Sequence, residues 1–156
     1  MHVHFVYLLV LLLVAATVHA ALLPERTLAR VAEIVLLYLL VGYCGVPMLA
    51  VSIWVLVSPE RAGSGFGFSA AGPLLDFFGW AYLGMSLISL LALRYRGTFL
   101  VAPVVTWAAY LGGATFVHLQ ASRGGALEIF ASHGLIAVLL VGALIASGAW
   151  RVRAAG

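Results

Sequence analysis

Residues 31–57 read VAEIVLLYLLVGYCGVPMLAVSIWVLV, a stretch whose only charged side chain, Glu33, stands near its start. A helix crosses the hydrocarbon core of a bilayer with about 20 residues. This run is longer, so a crossing helix here must tilt or bend. Gly45 and Pro47, near its middle, are the candidate bend. Proline removes one donor from the helical ladder and its ring crowds the preceding turn.

Four more apolar runs flank this one, at 3–23, 74–93, 98–119 and 127–150. Lipid supplies no hydrogen-bond partner for an open backbone, so each is expected to be helical. The expected fold is all-α: a single domain over residues 1–156, an integral membrane bundle of five transmembrane helices. Composition agrees, with 65% apolar and 8% charged residues and a mean hydropathy of +1.17. Soluble domains carry about 25% charged residues. So few charges cannot coat a 16.5 kDa globule, which excludes a soluble enzyme, a nucleic-acid-binding domain and a disordered tail. The net charge of +3 does not point to nucleic acid as a partner: there is no lysine, and the eight arginines stand singly or in pairs between apolar runs.

The first run ends on Ala16-Thr17-Val18-His19-Ala20, which could pass for a signal-peptide cleavage site, but its amino end carries His2 and His4 and no Lys or Arg. It reads as a retained helix. Arginine placement sets the orientation. Arg26, Arg30, Arg94, Arg96, Arg151 and Arg153 fall on one side of a five-span chain, and only Arg61 and Arg123 on the other. Positive charge is retained on the cytoplasmic side, so the amino terminus is expected outside and the carboxyl terminus in the cytoplasm. The arginine-only, Ala/Gly/Val/Leu-rich chain fits a multi-pass protein of a bacterial cytoplasmic (inner) membrane.

Aromatic residues mark the same levels. Trp54, Phe66, Phe68, Phe77, Phe78 and Trp80 fall near the outer interface and Tyr95 and Trp150 near the inner one, while Trp107 and Tyr110 lie deeper, as packing residues. Small residues four apart, Ala109 with Gly113 and Gly142 with Ala146, allow helix backbones to approach closely. Spacing alone does not say whether they close the bundle or form an oligomer seam. Residues 58–73, rich in glycine and bounded by prolines, read as an outer loop. The lone Cys44 sits inside an apolar run and permits no intramolecular disulfide.

Ionisable groups inside a membrane are costly and mark candidate sites. His118 lies one turn before the end of the fourth run and His133 about 9 Å into the fifth, so a short connection brings both to the outer half of the bilayer. Glu128 and Asp76 begin helices at a similar level. Two imidazoles with one or two carboxylates could bind a divalent metal, the two histidines could hold a haem iron axially, or the cluster could share a proton or bind a quinone. The same residues also fit a plainer role, with each His bonded to a neighbour and the carboxylates favouring helix amino ends. Glu33 is expected to pair with Arg30 or Arg26. No Ser, Cys or Lys nucleophile has a base beside it, so no catalytic set is assigned and an enzyme is not expected.

Glu33 opening the second run, Ser58-Pro59-Glu60 after it, Arg96-Gly97-Thr98-Phe99-Leu100 opening the fourth and Gly112-Gly113-Ala114-Thr115-Phe116-Val117-His118 closing it form an ordered set over about residues 25–120. This set resembles an uncharacterised family of small bacterial membrane proteins, a domain of unknown function, and its shape is similar to the helical bundle of DoxX-type proteins. The resemblance implies a fold and a membrane, and no reaction. Where such proteins often carry Gly-His in the second helix, this chain has Gly45-Val46-Pro47. The functional expectation is a structural or accessory subunit of a larger membrane assembly, with the lipid bilayer and a membrane-protein partner or a second copy as its contacts. The alternatives are a metal-, haem- or quinone-binding protein built on the outer cluster and, more remotely, an oligomeric small-solute transporter or channel.

Overall fold

The computed structural model describes residues 2–65, 72–121 and 133–151, and within them every regular element is helical. Helix α1 spans His2–Ala21 and α2 Leu28–Leu37. A π-helical segment, Tyr38–Gly45, carries α2 without a break into α3, Val46–Val57. A short helix α4 (Pro59–Gly65) precedes α5 (Pro73–Leu91), a 3-10 turn (Gly97–Leu100) opens α6 (Val101–Ala121), and α7 spans Leu135–Ser147. Three of these stretches, Leu28–Val57, Pro73–Leu91 and Gly97–Gln120, are long and apolar enough to cross a membrane. The apolar stretches Val6–Ala21 and Leu135–Ser147, within the first and last helices, are shorter.

Local chemistry explains the boundaries. Thr27 caps α2, its side-chain oxygen accepting from the Arg30 amide at 3.3 Å. One turn in, Arg30 Nη1 lies 2.9 Å from Glu33 Oε2, the pairing expected for this carboxylate. The π segment ends where Pro47 begins to act. Proline has no N–H to offer Tyr43, and just before it the Val46 amide reaches back five residues to the Val41 carbonyl. The widened ladder thus absorbs the defect ahead of the proline, which sits in the first turn of α3, where a missing donor costs least. Residues 59–65, expected as loop, are helical: Pro59 supplies a helix-compatible φ at the first position and Glu60 an acid in the first turn.

The long α2–π–α3 helix is the spine. Helix α1 and α7 lie against its first half, α5 runs along α3, and α6 packs on α7. The main core gathers around the π segment, where Leu39, Leu40, Tyr43 and Cys44 are buried with Leu36, Leu100, Val104, Trp107, Ile136 and Leu140. Close approach depends on glycines of this spine and of α5. A Cβ on Gly42 would meet the Leu12 side chain of α1 at 2.5 Å, one on Gly45 would meet Leu90 of α5 at 2.9 Å, and one on Gly79 would meet Leu56 at 2.8 Å. The small residues spaced four apart, by contrast, point outward: Ala109, Gly113, Gly142 and Ala146 are all exposed, and among the described residues a Cβ built on Gly113 or Gly142 meets nothing within 4 Å beyond its own stretch of helix.

This contrast yields a test. Gly79→Val should destabilise the protein by about 1–3 kcal/mol through overpacking against Leu56 and Val55. Gly84→Val on the same helix, where a Cβ meets nothing, should stay within about 0.5 kcal/mol of wild type. Equilibrium unfolding in detergent reads both values.

Candidate functional site

The two histidines expected to approach each other lie side by side. His118, exposed near the end of α6, and His133, half-buried just ahead of α7, have ring centroids 5.6 Å apart at an interplanar angle of 42°. Asp76, exposed in the first turn of α5, does not complete a ligand group with them. Among the described residues no three His, Cys, Asp or Glu side chains share a metal-sized space. Glu128 lies outside the described residues.

The geometry limits what the pair can do. With metal–nitrogen bonds of about 2.0 Å, two imidazole centroids on one ion stand about 5 Å apart in a tetrahedral site and above 6 Å when opposed across a haem iron. The observed 5.6 Å is nearer the first. The same spacing lets the two rings share a proton or a bridging water.

A second polar constellation lies deep in the bundle, between α5 and α6. Trp107, 1% exposed, donates its indole N–H to Ser89 Oγ at 2.7 Å, and Ser89 donates to the Met85 carbonyl at 2.9 Å. One turn away, the Tyr82 and Tyr110 hydroxyls bond to each other, with Tyr82 stacked on Phe78 and Tyr110 edge-on to Trp107. Among the described residues no buried side-chain N or O is left without a partner. The sequence marks Trp107 and Tyr110 as packing residues without naming the Tyr82 hydroxyl and Ser89 as their partners. The signal is present, because Tyr82, Ser86 and Ser89 fall on one helical face and Trp107 and Tyr110 are three apart on another.

The opposite end of the bundle from the histidines is basic. A cleft of about 490 Å³ there is lined by Glu33, Arg96, Gly97, Thr98, Ser147, Gly148, Ala149 and Arg151. The start of α2, the start of α6 and the end of α7 therefore meet at one level, and each brings arginine with it. Both lining glycines, Gly97 at φ +64° and Gly148 at φ +67°, hold left-handed backbone that side-chain-bearing residues rarely adopt. At Gly148 this turn closes α7, its amide donating to the Ile145 carbonyl.

No curated protein and no solved structure matches the chain. A family profile does, over residues 2–147, which is wider than the 25–120 range in which the ordered motifs lie and takes in α1 and α7. With nearly its whole length matched, the chain belongs to the family of unknown function DUF6790.

Proposed function

We propose that this protein is a structural or accessory subunit of a larger membrane assembly. It crosses a bacterial cytoplasmic membrane five times, with its amino terminus outside and its carboxyl terminus in the cytoplasm. The observation that carries the docking role is the outward placement of small residues. Ala109, Gly112 and Gly113 on α6 and Gly142 on α7 are exposed, while the glycines on which the chain's own helices close are different ones, Gly42, Gly45 and Gly79. In lipid, association gains little from the hydrophobic effect and depends on close backbone approach, which such a face permits. The convergence of the arginine-bearing segments on one end supports the orientation, since an end rich in arginine is retained in the cytoplasm.

The full chain extracted in mild detergent should migrate with a partner or as an oligomer. Combining Gly113→Leu with Gly142→Leu should release it as a monomer while moving the unfolding midpoint little, because neither position touches the chain's own core. A wild-type protein that runs alone as a stable monomer defeats this reading.

The spacing of the His118 and His133 rings favours a second reading, a ligand-binding membrane protein. Elemental analysis and an absorption spectrum on wild type, His118→Ala and His133→Ala decide it. Bound metal in stoichiometric amount, or a haem band, that disappears in either variant supports the site. A colourless, metal-free wild type rejects metal and haem.

A further inference from the structure

We propose that the arginine cleft is a binding site for the phosphate headgroup of an anionic phospholipid. The charge in the cleft is not balanced from within. Its one carboxylate, Glu33, is held by Arg30, whereas neither Arg96 nor Arg151 makes an ion pair or side-chain hydrogen bond among the described residues. Two guanidiniums are thus left to a cavity of headgroup size, and guanidinium is the side chain best matched to phosphate oxygens.

Each of these arginines adjoins an exposed aromatic residue. Tyr95 precedes Arg96 and rests on Phe99 at 5.4 Å, and the Arg151 guanidinium lies 5.3 Å from the Trp150 ring centre. Exposed Tyr and Trp on a membrane protein sit at the level of the headgroups, so the cleft opens where lipid phosphates are. A second, smaller hollow of about 320 Å³ shares Ser147, Gly148 and Arg151 with the cleft and reaches Ile145 and Ala146, exposed apolar residues of α7 that face where acyl chains lie. A charged cleft bordered by exposed apolar side chains fits a lipid better than a soluble anion, and basic pockets between helices on the cytoplasmic side hold lipid headgroups in this way. The site stands independently of the docking role.

Native mass spectrometry of the full-length protein in detergent tests it, with phosphatidylglycerol or phosphatidylcholine added separately. Wild type should retain phosphatidylglycerol roughly tenfold better than phosphatidylcholine. The Arg96→Gln/Arg151→Gln variant should lose that preference, and Arg94→Gln, an exposed arginine beside the cleft but not lining it, should keep it. Millimolar inorganic phosphate should leave the lipid in place. Equal retention of the two lipids by wild type overturns the proposal, and this comparison stands even if the double variant fails to fold. An equal loss in Arg94→Gln overturns it in favour of diffuse surface charge. Displacement by phosphate assigns the cleft to a soluble anion, and a lipid-free cleft that copurifies an acidic polypeptide assigns it to a protein.

Discussion

Pro47 stands within a thirty-residue apolar helix, Leu28–Val57, whose backbone can expect no water to satisfy a broken ladder. The rest of the bundle depends on how that helix survives the proline. The answer is the π segment Tyr38–Gly45, which widens the ladder before the missing donor and lets α3 restart with the proline in its first turn. The widening also shapes the core, because the segment that absorbs the defect carries Leu39, Leu40, Tyr43, Cys44 and Gly45 inward together. Helix α1 closes on Gly42 and α5 on Gly45, so the main helical contacts are organised around one irregular turn.

The long helices are legible because lipid demands long apolar runs, and each described helix of the bundle except α4 falls within or close to a run read from the sequence. What was not legible follows from the same physics. In water a helix shows which face is inside by where its polar residues stop. Lipid tails are as apolar as the core, so Gly79, which packs on Leu56, and Gly84, which packs on nothing, look alike in the chain. The four-residue spacing of Ala109 and Gly113 therefore reads as packing whether it faces in or out. The π segment was equally hidden: Gly45 and Pro47 announce an irregular turn, but not the register that accommodates it. Helix α4 is hidden in the sequence because its glycines outweigh the start signal at Pro59-Glu60.

The two ends of the bundle differ in chemistry, and the difference could be followed from residue to site. Closeness of His118 and His133 was expected from two helix ends joined by a short connection, and the rings meet at 5.6 Å. In the sequence the arginines read only as orientation signals. Their convergence into a cleft with two left-handed glycines needed the tertiary structure, since Arg96 and Arg151 are far apart in the chain and line one cleft only because α6 begins where α7 ends. Between the ends, the Trp107–Ser89 and Tyr82–Tyr110 bonds tie α5 to α6 with every buried polar side chain among the described residues satisfied. Such bonds add specificity to a contact that hydrophobicity alone leaves undirected.

Sidedness is the premise on which the docking faces, the histidine pair and the arginine cleft all acquire their surroundings. It can be measured on intact cells with a membrane-impermeant maleimide, using single cysteines placed in a Cys44→Ala background at Ser64 and at Thr27. The proposed topology, five crossings with the arginine-rich end in the cytoplasm, predicts that Ser64→Cys reacts from outside and Thr27→Cys only after the membrane is opened. Labelling of both from the same side, or of Thr27→Cys alone in intact cells, would contradict the topology.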